Sequence, residues 1–176
     1  MSVKLVAVVT LVLLIWACQS DDDTTPVDHF AGTLNGEPWA GTVRTFDSRS
    51  DGELLTIRFR VAVSRGDIIR ESLSMNNLAR MNGRTLLKPY PDSLFGHTFP
   101  TAQLLTTLTD GDVSGPGFEL LDADSLNNYI EIVTIDDRGL SGNFGVTLVL
   151  ENPAAFPDRS ALDTIRIECA AFEAAF

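Results

Sequence analysis

Residues 54–64 alternate without a break. Leu55, Ile57, Phe59, Val61 and Val63 fall on one side of an extended chain, and Thr56, Arg58, Arg60 and Ser64 on the other. Successive side chains of a strand point to opposite faces, so a period of two requires a strand with one face buried and one wet. The pattern returns in residues 140–150, where Phe144, Val146, Leu148 and Leu150 share a face, and in the apolar run 128–135. Residues 68–78 carry it more weakly, with Leu73 and Met75 inward, and residues 101–109 are rich in Thr and Leu. Residues 118–121 read as short and extended. Helical periodicity is nowhere comparable.

Turn chemistry divides these runs. Asn35-Gly36 lies between residues 30–34 and 37–40, and this dipeptide is the strongest short hairpin signal because both central residues take positive φ. Pro38 pushes the second arm toward an edge, since it has no N–H to give a ladder. Asp51-Gly52, Asp110-Gly111-Asp112, Gly115-Pro116-Gly117 and Asp136-Asp137-Arg138-Gly139 read as further breaks. Residues 79–100 hold Asn82-Gly83, Pro89, Pro91 and Pro100 and read as loops with one short strand or helical turn. In the last run, 163–175, the apolar face switches from Ile165, Ile167, Cys169 and Ala171 to Phe172, Ala174 and Phe176. A bulge near Ala170-Ala171 accounts for the switch, with a terminal helix as the alternative. About eight short strands joined by Gly, Pro and Asp turns predict an all-β fold. The expectation is a single antiparallel β-sandwich or barrel-like domain over residues 28–176.

The chain opens differently. Lys4 precedes an uncharged Val- and Leu-rich stretch, residues 5–16, and then Ala17-Cys18. That stretch has signal-peptide length and falls short of the about 20 apolar residues of a membrane-spanning helix. Ile15-Trp16-Ala17-Cys18 resembles a bacterial lipobox, with Trp16 where the pattern has a small residue. The resemblance implies a signal peptide over residues 1–17 and lipid on Cys18, which would anchor the protein to a membrane. Residues 18–27 then form a tether. Its Ser20, Asp21, Asp22 and Asp23 resemble the acidic export signal of Bacteroidota surface lipoproteins; the alternative is a solvated spacer that self-repels. The implied location is the outer membrane facing outward, or the periplasm if the aspartates are only a spacer.

The mature chain is also similar to a family of Bacteroidota lipoproteins of unknown function. The similarity rests on Phe30, Gly32, Leu34-Asn35-Gly36 and Trp39-Ala40; on Tyr129-Ile130-Glu131-Ile132 with Asp136; and on Leu140-Ser141-Gly142-Asn143-Phe144. Ala170-Ala171-Phe172 stands where that family has Gly-x-Phe. These residues are turn and core formers, so the resemblance implies a fold and a location but no activity.

Charge and cysteine usage narrow the function. The formal net charge is −11 and no Lys/Arg cluster is evident along the sequence, so nucleic acid is not an expected partner. With Cys18 acylated, Cys169 has no disulfide partner and reads as a small buried hydrophobe.

Catalytic signatures are absent. Gly111-Asp112-Val113-Ser114-Gly115 places its serine one position late for a nucleophile elbow, and no zinc or phosphate-loop motif occurs. His29 and His97 read as solvent-facing. Asp110, Asp112, Asp122 and Asp124 could offer oxygens to calcium, but their spacing is not that of an EF-hand and Asp is a favoured turn former. Glu131 and Asp136 could pair as acid and base, or simply face solvent from a strand and its turn. No metal and no cofactor is expected. Among aromatics, Trp39 reads as core, while Tyr90, Phe95 and Phe99 lie in a long loop, where binding residues concentrate. They are the candidate ligand surface. The expected function is non-catalytic binding of a glycan or envelope protein. A structural accessory subunit of an outer-membrane complex is the alternative, and a hydrolase the remaining one.

Overall fold

The structure is a computed structural model that describes residues 28–47, 52–62, 69–89, 99–107, 114–152 and 164–176. It is all-β: the described residues form ten antiparallel strands and one short 3-10 turn, Asp122–Asp124. The strands are β1 (His29–Leu34), β2 (Glu37–Asp47), β3 (Leu54–Ala62), β4 (Ile69–Ala79), β5 (Gly83–Leu86), β6 (Thr101–Thr107), β7 (Ser114–Leu120), β8 (Tyr129–Ile135), β9 (Gly139–Leu150) and β10 (Thr164–Ala175). Eight of them form a closed up-and-down barrel in the order β1-β2-β3-β4-β6-β7-β9-β10, and β10 returns to β1. Residues 1–27, with Cys18 and the acidic run, lie outside the described residues.

The two strands outside the eight-strand barrel are β5 and β8, and they sit where its wall forks; β8 matches the expected run 128–135, and β5 is the short strand within 79–100. One edge of β9 pairs with β10 along nearly its whole length. Its other edge changes partner: β7 covers Leu148–Leu150, and β8 covers Leu140 to Gly145. On the far side of the gap, β6 pairs with β7 from Gln103 to Thr107, while Lys88 bridges Thr101. The antiparallel pair β5–β8 therefore continues the wall where β7 stops, and Leu87, Ile130 and Ile132 are buried in the same core.

Asn128 joins the two halves of the fork. It is fully buried. Its Oδ1 accepts the Thr147 backbone N–H at 2.7 Å and its Nδ2 donates to the Leu121 carbonyl at 3.0 Å. Its own carbonyl accepts from the Leu87 N–H at 2.9 Å.

Alternation puts the core inside. The inward residues of β2, β3 and β4 include Val43, Leu55, Ile57, Phe59, Leu73 and Met75, all with no exposed surface. Phe59 is the centre of an aromatic cluster. Its ring centroid lies 5.6 Å from Phe30, 4.4 Å from Phe144 and 5.3 Å from Phe172, and the Phe30 and Phe172 contacts are edge-on. Trp39 is core as expected, 4.4 Å from Phe30, and its Nε1 donates to Glu71 Oε2 at 2.6 Å. An indole N–H buried without such a partner would be costly.

The outward face carries Arg44, Arg58, Arg60, Asn143, Arg166 and Glu168, with Phe46, Leu86, Leu105 and Val133 as isolated exposed apolar residues among them. A membrane-spanning barrel has the reverse polarity, apolar outside and polar within. No helix among the described residues is long and apolar enough to cross a membrane.

Local expectations meet specific geometry. Asn35 and Gly36 have φ of 51° and 85°, the positive values that a two-residue hairpin needs. Asn35 also docks the hairpin tip on β10, since its Oδ1 accepts the Arg166 N–H at 2.7 Å. Pro38 pairs with Thr33 of β1, while pairing with β3 runs only from Thr42 to Asp47, so its missing N–H costs no ladder bond. The terminal run is a strand with a bulge. Cys169 opposes Phe144 and Phe172 opposes Gly142, so Ala170 and Ala171 face one residue of β9. The extra residue moves Phe172 back onto the core face, which is the switch seen in the sequence.

Gly115-Pro116-Gly117 is corrected. It does not break the chain but lies inside β7. The β6–β7 register shifts between Leu105 and Thr107, and the Pro116 carbonyl accepts from Thr106 Oγ1 at 2.9 Å. A bulge is one of the few places where a sheet tolerates proline.

Candidate functional site

A concavity of about 830 Å³ runs along the outside of the barrel wall over β1, β9 and β10. Strand alternation builds its floor. Asn143, Gly145 and Thr147 of β9 and Arg166 and Glu168 of β10 are the outward partners of the core residues Phe144, Val146, Ile167 and Cys169. The β5–β8 pair forms one side. There the Arg84 guanidinium stacks on the Tyr129 ring at 3.7 Å and donates to the Leu126 carbonyl at 3.2 Å.

Gly145 makes room for that ring. A Cβ at this position would stand 3.0 Å from Tyr129 Cε1 and 3.1 Å from the Asn127 carbonyl. Tyr129 is thus held between the β9 backbone and Arg84. Its faces are occupied, so it does not serve as a free stacking platform.

The groove's polar groups are largely fixed by one another. Asp124 accepts from Thr147 Oγ1 and, at 2.5 Å, from Asn127 Nδ2. These two hydrogen bonds, the Thr147 one foremost, hold the Asp124 carboxyl below its ordinary range. Asn143 Nδ2 donates to Glu131 Oε2 at 3.3 Å, and Arg166 pairs with Glu168 at 2.7 Å. The outcome is an array of guanidinium, amide, hydroxyl and carboxylate groups on a concave wall, suited to hydrogen-bonding a polar ligand.

Cys169 lies under the groove floor. Burial pushes its thiol up to about 12, and its Sγ donates to the Ala171 and Ala31 carbonyls at 3.2 and 3.6 Å, contacts that only the protonated thiol can make. It stays a neutral thiol, in keeping with the buried role expected of it.

The sequence-derived candidates are scattered. Cys18, Ser20, Asp21, Asp22, Asp23, Tyr90, Phe95, His97, Asp110 and Asp112 lie outside the described residues. Phe99 is half-buried; its carbonyl accepts from Asn77 Nδ2 at 3.3 Å, and Lys88 Nζ lies 5.9 Å from its ring centroid. Asp136 caps its own turn, accepting from the Arg138 and Gly139 N–H groups at 2.7 and 3.1 Å, while Glu131 is engaged by Asn143. The groove residues Arg84, Asn143, Thr147 and Arg166 are not among the sequence-derived site candidates: Asn143, Thr147 and Arg166 show in the sequence only as the wet half of alternating strands, and Arg84 falls in a run that reads as loops.

Comparison with known proteins gives no relative: no protein-family model, no curated protein and no solved structure matches this chain.

Proposed function

We propose that this chain is an outer-membrane lipoprotein, anchored by lipid on Cys18 and facing outward, whose barrel binds a partner and performs no chemistry. The observation that carries the binding role is where the concavity lies. The barrel interior is filled by Phe30, Phe59, Phe144, Phe172 and the aliphatic residues around them. Recognition therefore belongs to the outer wall, where the polar groove over β9 and β10 is open to solvent. The anchor rests on the leader, with its apolar stretch ending at Ala17-Cys18 and the acidic run behind it. A glycan or a protein of the envelope fits the groove's hydrogen-bonding groups.

Two measurements test the reading. Protease digestion of intact cells, comparing the wild-type chain with one carrying Asp21, Asp22 and Asp23 changed to Ala, should digest the wild type and spare the variant. Protection of both would move the domain to the periplasm. A panel of soluble glycans and envelope extracts should yield a ligand whose affinity falls in Thr147→Val and Arg166→Ala. Binding that ignores both substitutions would remove the groove from the proposal. A partner of fixed stoichiometry in solubilised membranes would instead indicate a structural subunit.

A further inference from the structure

A second face of the barrel differs from the groove in both chemistry and charge. Arg44 of β2 stands directly opposite Arg58 of β3, and Arg60 lies two residues further along β3, between Thr42 and Ser72. All three point outward, because the intervening Val43, Ile57 and Phe59 have no exposed surface. The strip is roughly 5 Å across and 7 Å along, from ordinary strand spacings.

Like charges directly opposite one another destabilise a sheet. Here they are concentrated on one face of a chain whose net charge is −11. The ion pairs among the described residues, Arg80–Asp47 and Arg166–Glu168, do not involve this strip. Arg58 is positioned by neutral groups instead: its Nε donates to Ser74 Oγ at 3.2 Å, and its guanidinium lies 5.6 Å from the Phe46 ring centroid. Partial burial, and then the fields of Arg58 and Arg44, weaken the hold of Arg60 on its proton. An anion on this face would relieve all three.

We infer that the outer face of β2 and β3 is a docking site for an anionic glycan, gripped by Arg44, Arg58 and Arg60. Guanidinium groups bind carboxylate and sulfate in a fork geometry that lysine cannot reproduce. The hydroxyls of Thr42, Thr56, Ser72 and Ser74 border the strip and suit a polyhydroxyl chain. Nucleic acid fits less well. Its bases need free aromatic faces, whereas Phe46 is flanked by Arg58. This assignment goes beyond the binding role of the groove and does not depend on the lipid anchor.

The test uses the protein as cells produce it, solubilised in detergent, and titrates polygalacturonate, neutral dextran, glycerol phosphate and oligo-dT. Polygalacturonate should bind and dextran should not. Changing Arg44, Arg58 and Arg60 together to Gln should weaken binding by roughly tenfold or more while thermal melting shows an intact fold. Changing all three to Lys should restore only part of the affinity. If the triple Gln variant melts early, the exposed Arg44→Gln alone serves as the readout, and it too should weaken binding. Unchanged affinity in a folded variant, failure of the wild type to bind polygalacturonate, or equal binding of oligo-dT or glycerol phosphate would each overturn the proposal. Protection of the domain in intact cells would defeat outward exposure while leaving this result standing.

Discussion

Asn128 Oδ1 accepts the backbone N–H of Thr147 at 2.7 Å, and this bond closes the barrel wall at the point where β9 exchanges one neighbour for another. Thr147 lies between Gly145, the last position paired with β8, and Leu148, the first paired with β7. Its carbonyl is met by the Leu121 N–H at 2.8 Å, but no strand remains to take its N–H. The Asn128 side chain substitutes for that missing strand and reaches back to the Leu121 carbonyl with its Nδ2. A buried backbone donor must be paired somewhere, and here an amide side chain meets the requirement.

Asn128→Ala should therefore destabilise the domain more than a typical surface change. It strands the Thr147 N–H in the core, at about 1–3 kcal/mol for an unsatisfied buried group, and removes one of the two donors to the Leu121 carbonyl, which keeps the Asp124 N–H at 3.1 Å. Denaturant titration of the variant against wild type measures this. A loss below about 0.5 kcal/mol, the range of an ordinary surface substitution, would show that the fork closes without Asn128.

Phe59→Ala should be among the most damaging core substitutions. The ring contacts Phe30, Phe144 and Phe172, which come from strands far apart in sequence, so deletion leaves a cavity that no single neighbour can fill. Truncations of this kind cost about 3–5 kcal/mol. Phe59→Leu should cost less, because it keeps most of the apolar volume. Equal midpoints for the two variants in urea would argue against a tightly packed cluster.

What the sequence disclosed followed from periodicity and local turn chemistry. The strands around Phe59 and Phe144, the Asn35-Gly36 turn and the bulge at Ala170-Ala171 all depend on residues close to one another in the chain. Sandwich and barrel could not be separated, because both need the same alternation. The decision lies in His29 meeting Glu173 and Leu34 meeting Ile167, contacts between the two ends of the described chain. Asn128 reads in the sequence as the start of a strand, since nothing local reports that the strand beside it stops short. The arginine strip is hidden in the sequence for a similar reason: Arg44 and Arg58 are far apart until β2 and β3 pair.

The depressed Asp124 carboxyl makes one contribution to acid sensitivity. Its folded pKa lies below the unfolded value, so its stabilisation is present above the unfolded carboxylate pKa of about 3.9 and is lost as pH falls through the folded one. Asp124→Asn should melt below wild type at neutral pH, and the gap should narrow as pH drops below about 4. A gap that stays constant across that range would mean that the Thr147 and Asn127 bonds do not favour the ionised form.

Cys169 should resist modification until the barrel opens. A thiol held at about 12 provides almost no thiolate at neutral pH, and its side chain is buried between β1 and β9. In a chain carrying Cys18→Ser, Cys169 is the sole thiol. Iodoacetamide should then label it slowly in buffer and rapidly in denaturing urea. The raised pKa also has a sign in stability. The folded state keeps a proton that the unfolded state releases, so stability should decline as pH rises above the unfolded thiol value of about 8.5. Cys169→Ala should remove that decline and cost little at neutral pH, since the site is apolar and the side chain small. Rapid labelling in buffer would show instead that the bulge at Ala170 and Ala171 opens locally, without unfolding of the barrel.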